Sequence, residues 1–585
     1  MKSHSAKIGS RFLFISFFLL AALKILLVGF DIDEQYAVTM SFRLLKGDFP
    51  VLDMWEPHQT SGFLCALLMA PYLALTKTSA GIFLYLRICG IIIHFGLFFM
   101  LRRFLCQILE PACENNMEGK KICATFIACI FFFTLPKLMF LPEFSNLQVW
   151  FLMFAIIFLV KYYTTIFSKR NSSKIIYLIL AGICIMLEVL SYPSTIFVFI
   201  FCTYYIIHIH RQQGLVQTLK ELAAFVFPCI LGFLIFSGYL LSYMSISQLF
   251  ELLPIVASDG SHSASYLEKL VSNAGSLGVL FMFAVIYGAV TTIIFLLVKK
   301  RRALSNPPGF LCWVIYFLIV TLLGQLIIWI AGNRYPNYPH AEYFFLPLLI
   351  LIWRRYQKTA SGPLFAFAFV VPFIAFGSIL LFTNHPLIVS TPFLGSCAAG
   401  SLLLLSRHIL TDREPGCLRL QKLLHLLLGL WVGVLLFGNL LLIRTTGGVH
   451  YTVFDPVSLI RHGPAVGIIA DTETVKKYNA AASLLAENIP DGANVFYAGT
   501  SSAIYLQGDI HICTPTTISS PTFDEKISYY FELHPEKTPE YIICDNNLLY
   551  LSENIWLADY INASCEEIPT AGNDFFIVYK SLSSH

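Results

Sequence analysis

The sequence predicts an all-α polytopic membrane protein of about thirteen transmembrane helices with a small C-terminal extracytoplasmic α/β domain. Three observations predict it. Hydrophobic residues make up 57% of the 585 and charged residues only 13%, against about a quarter in an ordinary soluble chain, and the mean hydropathy is +0.71. Apolar stretches long enough to cross about 30 Å of hydrocarbon recur along the first three quarters of the chain. The formal net charge of +4 conceals a division: residues 1–444 hold 33 Lys+Arg and 18 Asp+Glu, whereas residues 445–585 hold 6 and 17. Soluble, disordered and fibrous classes are thereby excluded, and the basic excess reads as membrane topology, not as nucleic-acid binding.

The elements follow in order. A basic start (Lys2, Lys7, Arg11) precedes an apolar run without a convincing small-x-small cleavage site after Ala21 and Ala22, so an uncleaved first span is expected. Further spans are expected to start near Ile82, Ile122, Val149, Ile175, Thr195, Leu222, Leu277, Phe310, Tyr343, Leu364, Leu387 and Leu423, the first starting near Phe12. Basic residues crowd alternate connections, among them Arg102, Arg103, Lys120 and Lys121, the run Lys299 to Arg302, and Arg354, Arg355 and Lys358. By the positive-inside rule these connections are cytoplasmic, as is the N-terminus. The segment Phe63 to Leu75 is too short to span easily and would invert that pattern, so it is expected to lie at the outer interface.

An odd number of spans places residues 445–585 outside the cell, on a plasma or inner membrane. This part is expected to hold a helix over Thr472 to Glu487 capped by Asp471, then strands at Val495–Tyr497, Tyr541–Cys544 and Phe575–Tyr579. Most of the fifteen cysteines lie in apolar runs as small hydrophobes, and the three in the tail, Cys513, Cys544 and Cys565, allow one bridge at most. No Cys/His metal spacing and no Gly-rich phosphate loop occurs, which argues against a nucleotide-driven site.

The chemistry concentrates in the first outer loop, residues 31–81. Between Asp31 and Glu56 it carries Asp31, Asp33, Glu34, Asp48, Asp53 and Glu56, followed by His58 and Gln59. One reading of Asp33 and Glu34 is capping of a helix from Gln35 to Lys46 that Gly47 ends. The functional reading is a general base at the membrane surface. His58 beside Asp31 and Asp33 offers a ligand set for Mg, Mn or Zn, the alternative being an ordinary hydrogen-bonded histidine. Glu143 at the outer end of the third span is a further acid. Glu188 is an acid inside a span, and Glu251, Asp259, His262 and Lys269 are candidates for a lid.

Asp33, Glu34, Tyr36, the run Leu44 to Pro50, Asp53, Trp55 and Arg87 together resemble the N-terminal signature of GT-C glycosyltransferases. More narrowly, they resemble the branch of protein O-mannosyltransferases, aminoarabinose transferases and rhizobial lipopolysaccharide sugar transferases. A second likeness lies in Gly332 to His340 with Tyr343 and Pro347, similar to that branch's Arg...Pro-His-Tyr loop. The resemblance covers the topology of the membrane half, but in motif only the first hundred residues and this loop. It implies an enzyme, a glycosyltransferase that takes a hexosyl or pentosyl group from a polyprenyl-phosphate donor and transfers it, with inversion, to an acceptor at the outer face.

The resemblance then implies Asp33 as the base, Glu34 as the group orienting the acceptor or the base, and Arg334 with His340 as phosphate donors. Asp31, Tyr36, Glu56, Gln59, Glu143 and Tyr335 are expected near substrate; the alternative reading of Arg334 is snorkelling at a helix end and that of Tyr335 an interfacial aromatic. Where the branch has an acidic residue, Lys and two prolines, this chain has Glu56, Pro57, His58, Gln59. The phosphate-binding Lys is missing, so His58 or Gln59 is expected to serve, or the donor headgroup differs. A glycolipid, glycan or protein acceptor would be the partner, with no nucleic acid. Two other classes fit the span count, a transporter or flippase of lipid-linked sugars and an O-antigen-type polymerase or ligase. The absence of a repeat and the early, external position of the acids favour the transferase.

Overall fold

The computed structural model describes residues 2–56, 58–110, 117–166, 174–211, 214–257, 265–301, 309–331, 340–356, 362–383, 386–411, 417–445, 448–518, 524–546, 555–570 and 572–582. The chain opens with α1 (Lys2–Leu27), α2 (Ile32–Lys46), α3 (Gly62–Thr76) and α4 (Ile82–Leu109). Next come α5 (Met117–Phe133), α6 (Phe144–Ile166), α7 (Lys174–Ser191), α8 (Ile196–His210) and α9 (Leu215–Leu240). Then follow α10 (Ile246–Ala257), α11 (Tyr266–Arg301), α12 (Gly309–Ile330) and α13 (Ala341–Tyr356). The bundle closes with α14 (Pro363–Phe382), which contains a π-helical stretch over Ala366–Val370, α15 (Gly395–Thr411) and α16 (Cys417–Leu441).

A helix stands at each of the thirteen places where the sequence expects a span, namely α1, α4 to α9 and α11 to α16. Among the described residues ten helical stretches are long and apolar enough to cross a membrane. The ends differ from expectation where hydropathy is blind to turns: α15 begins at Gly395, not near Leu387, because a 3-10 turn at Thr391–Leu394 precedes it. The interior is one continuous apolar cluster running from Phe18 on α1 through α4, α5 and α6 to Trp431 on α16.

One of the ten stretches, Gln59–Thr76, includes α3. Fifteen helical residues extend only about 22 Å, less than the hydrocarbon core. Both flanks of α3 also meet the C-terminal part of the chain: Trp55 N–H donates to the Pro515 carbonyl at 2.8 Å, and Ser79 Oγ to the Leu506 carbonyl at 2.8 Å. Cys65, Ala66 and Met69 of α3 are turned inward and Leu67 and Leu75 outward.

Beyond α16 the chain forms β1 (Leu442–Thr445) and β2 (Gly448–Thr452) as a hairpin, then β3 (Val457–Leu459) and β4 (Ile469–Asp471) as a second antiparallel pair. Helix α17 (Thr472–Asn488) follows, and the Asp471 carboxylate caps it by accepting from Thr474 N–H at 2.9 Å, as the sequence leads one to expect. The remaining elements are β5 (Asn494–Ala498), β6 (His511–Ile512), α18 (Asp524–Leu533), β7 (Tyr541–Asp545), α19 (Ile555–Ser564), β8 (Cys565–Ile568) and β9 (Phe576–Ser581). They build a five-stranded sheet in the order β6-β5-β7-β9-β8, parallel across β6, β5 and β7 and antiparallel across β7, β9 and β8. Cys513, Cys544 and Cys565 are free thiols.

The two ends of the bundle are stitched together where α1 gives way to α2. Gly29 N–H donates to Ile469 O at 2.8 Å and Phe30 N–H to Arg444 O at 3.1 Å. Gly29 sits at φ 103°, and a Cβ there would come within 2.8 Å of the Arg444 carbonyl, so only glycine fits. This stitch brings Arg444 to the head of α2.

Candidate active site

Helix α2 starts at Ile32, three residues before the expected Gln35. Its N-cap is Asp31, whose carboxylate accepts from the Asp33 N–H at 2.9 Å, so Asp33 lies in the first turn and is not the cap. Gly47 ends the helix in the left-handed conformation, φ 106°, as expected. The six carboxylates of the loop then take different fates. Asp31 is buried and ion-paired with Arg444 Nε; burial raises its carboxyl above the usual range against the pull of Arg444. Glu34 is fully enclosed, and its two oxygens accept from Arg87 Nε at 2.5 Å and Nη2 at 2.6 Å. Arg87 also donates to the Leu26 and Gly29 carbonyls. The expectation that Glu34 orients the acceptor does not fit this geometry: both oxygens are taken by a guanidinium inside the protein.

Asp48, Asp53 and Glu56 hold the loop to the C-terminal sheet region. The buried Arg43 guanidinium donates to Asp48 at 2.7 Å, to Glu56 at 3.3 Å and to the Asp53 carbonyl at 2.9 Å. From the other side Lys537 lies 2.9 Å from both Asp48 and Asp53, Tyr530 OH donates to the Asp53 carbonyl at 2.9 Å, and Thr517 N–H donates to Glu56 at 2.8 Å. Although burial would raise it, Arg43 and Lys537 hold the Asp48 carboxyl below its ordinary value. Glu56, by contrast, is raised by burial that Arg43 only partly offsets. Gln59 is likewise structural, its Oε1 accepting from Val51 N–H at 2.8 Å. Glu56 and Gln59 therefore act as ties, where substrate contact was expected.

Asp33 is the most open of the six. Its side chain is 24% exposed and forms an ion pair with Lys137, itself 14% exposed. Lys137 sits between α5 and α6 in the segment 134–143, where it is the one basic residue. Its turn is closed by Leu138 N–H donating to Leu135 O at 3.3 Å, with Leu138 at φ 52°. A left-handed leucine costs about 1–2 kcal/mol, a cost the surrounding packing must offset. The packing is visible at Gly90 on α4, where any Cβ would lie 1.7 Å from the Phe140 carbonyl. Gly90→Ala is expected to push the 134–143 segment off α4 and lower stability by about 1–3 kcal/mol, read as a lower midpoint in thermal size-exclusion. An unchanged midpoint would show that the segment is not held there.

Sequence reasoning missed Lys137, although a signal existed: a lone base in a connection on the side the positive-inside rule leaves poor in them. It also missed the partnership of Asp31 with Arg444, 413 residues away.

Around this pair lie Glu143, Phe144, His58, Tyr36 and Tyr192. Glu143 is buried and accepts from the first-turn amides of α6, Ser145 N–H at 2.8 Å and Asn146 N–H at 2.7 Å. Burial, opposed by the charge of Lys137, pushes its carboxyl up to about 7. Because this value lies above the ordinary 4.5, the folded state binds the extra proton and the unfolded state does not. The stability that Glu143 contributes is full below about pH 4.5 and is lost as pH rises to about 7. Glu143→Gln is therefore expected to flatten the fall in thermal stability across that window; an unaltered slope would assign the fall to other groups.

The imidazole of His58 stacks on the Phe144 ring, centroids 4.1 Å apart at 3°, and lies 4.9 Å from Tyr192. Lys137 Nζ is 6.0 Å from the centroid of that same Phe144 ring. Tyr36 packs its ring edge-on to Phe144 at 6.4 Å. An apolar groove of about 420 Å³ between α7, α8 and α9 reaches Thr60 and is lined by Ile185, Val189, Phe199, Ile230, Phe233 and Phe236. Thr60 Oγ1 donates to the Leu190 carbonyl at the end of α7, so a residue lining the groove stands two positions from His58 in the sequence.

Arg334, Tyr335, Asp259 and His262 lie outside the described residues. His340 sits at the start of α13, Nδ1 3.7 Å from the buried Glu342 and its ring 5.5 Å from Tyr343. Glu188 is enclosed, accepting from Gln148 Nε2 at 3.2 Å, and Glu251 accepts from Tyr529 OH at 2.6 Å. The metal set Asp31, Asp33 and His58 does not converge: the two acids face Arg444 and Lys137 while the imidazole stacks on a ring. Among the described residues no three Asp, Glu, His or Cys side chains come together as metal ligands.

No family model and no curated protein matches the chain. Among solved structures it is similar to ArnT from Cupriavidus metallidurans bound to undecaprenyl phosphate, at 12% identity over 98% of each chain with a TM-score of 0.40.

Proposed function

We propose that the chain is a membrane glycosyltransferase that moves a sugar from a polyprenyl-phosphate donor to an acceptor hydroxyl at the outer face of the membrane, in cell-envelope glycan, glycolipid or glycoprotein synthesis. The observation that carries this reading is the setting of Asp33. It is the most open acid of its loop; contacts run from it through Lys137 and Phe144 to His58, and Thr60, two residues further along the chain, lines an apolar groove. That is the arrangement a lipid-linked substrate needs: a dry channel for the chain, a cation and an imidazole near the phosphate, and a carboxylate beyond them.

In the reaction Asp33 takes the proton of the acceptor hydroxyl while that oxygen bonds to the anomeric carbon. The anomeric carbon–oxygen bond to phosphate breaks, its electron pair leaves with the lipid phosphate, and the configuration inverts. The test is to incubate the purified protein in nanodiscs with a panel of polyprenyl-phosphate pentoses and hexoses plus acceptor lipids, and to measure free polyprenyl phosphate. Release from at least one donor is expected; neither release nor binding of any donor would sink the reading. The same reading puts the N-terminus in the cytoplasm and the C-terminal sheet region outside. A reporter fused after His585 that is active only in the cytoplasm would overturn it.

A further inference from the structure

Among the described residues, Arg444 and Lys137 each pair with an acid at the start of α2. Arg444 is committed: its Nε pairs with Asp31, which is itself buried and capping α2, and its carbonyl receives Phe30 N–H. Lys137 is placed differently. Its pair with Asp33 is partly open to water, its turn is fixed by the left-handed Leu138, and its ammonium stands over the ring on which His58 stacks. A lysine carries a compact charge on a flexible four-carbon stem and can swing between neighbouring anions without dismantling a bidentate clamp.

We infer that Lys137 is the ligand for the donor's phosphodiester, and that the Asp33–Lys137 pair is the resting form of the site, opened by ion exchange. This rests on the reading of the site as that of a polyprenyl-phosphate transferase. An arriving phosphate takes the ammonium from Asp33, and the carboxylate, released from that ion pair, turns to the acceptor hydroxyl. The base is thus masked until donor is bound. Lys137, reaching the site from between α5 and α6, supplies the cation that the stretch Glu56 to Gln59 lacks. Two anions competing for one cation must oppose each other reciprocally: the charge of Asp33 weakens phosphate binding, and phosphate binding frees Asp33.

The experiment measures thermal stabilisation of the full chain in nanodiscs by undecaprenyl phosphate and by undecaprenol, the same chain without the anion. The wild type is expected to prefer the phosphate. Lys137→Gln should lose that preference, weakening phosphate binding roughly ten- to a hundredfold with undecaprenol unchanged, and Lys137→Arg should keep it. Asp33→Asn should bind the phosphate about fivefold more tightly or better, again with undecaprenol unchanged. A Lys137→Gln protein that remains monodisperse, still binds undecaprenol and retains the phosphate preference overturns the ligand assignment alone. Unaltered phosphate affinity in Asp33→Asn overturns the exchange. A wild type stabilised by neither lipid instead removes the donor reading on which the inference stands.

Discussion

Asp33→Asn is expected to lower sugar transfer by about 10²–10⁴-fold, the usual worth of a positioned general base, while the protein still inserts and folds. The fold should tolerate the change because the cap of α2 is Asp31, not Asp33, and because the Asp33 side chain is partly open to water. Asparagine keeps the shape but cannot take the acceptor's proton, so the loss should appear in turnover, while affinity for the donor phosphate rises. The measurement is single-turnover release of polyprenyl phosphate by monodisperse protein. Activity within a few-fold of the wild type would remove Asp33 from the base role.

Arg87→Met should have the largest effect on stability, about 3–5 kcal/mol, the cost of leaving a buried carboxylate without its partner. Arg87 supplies both hydrogen bonds to Glu34 and also ties the Leu26 and Gly29 carbonyls at the end of α1. Its loss should loosen the joint between α1, α2 and α4 on which the position of Asp33 depends. The double variant Arg87→Met, Glu34→Leu replaces the pair with apolar groups and should recover most of the folded yield in fluorescence-detected size-exclusion. It also separates two roles for Glu34. If the folded double variant transfers sugar, Glu34 is a structural partner; if it folds well but is inactive, Glu34 takes part in the chemistry.

The helices were legible because hydropathy and capping are local properties. The thirteen apolar runs, the Gly47 stop, the Asp471 cap and the strands around Val495, Tyr541 and Phe576 all follow from residues within a few positions of one another. The site was legible only as a neighbourhood. Six acids in 26 residues marked the loop, but nothing local distinguishes Glu34, sealed against an arginine 53 positions on, from Asp33, open beside a lysine 104 positions on. Glu56 and Gln59 misled because the residues that occupy them are Arg43, Val51 and Thr517, the last of them 461 positions away.

By itself, then, the sequence determined that this is a polytopic helical membrane protein with an acidic C-terminal sheet region and an acid-rich first loop. Lipid and water sort residues by polarity one segment at a time, and that sorting is written along the chain. Only the tertiary structure decided which carboxylate stays open. A charge is priced by what surrounds it, and here the deciding neighbours, Arg87, Lys137, Arg444 and Lys537, come from four distant parts of the chain. Five acids met partners that bury them or bind them into the fold. The sixth met a lysine at the edge of water, and the chemistry proposed here rests on that pair.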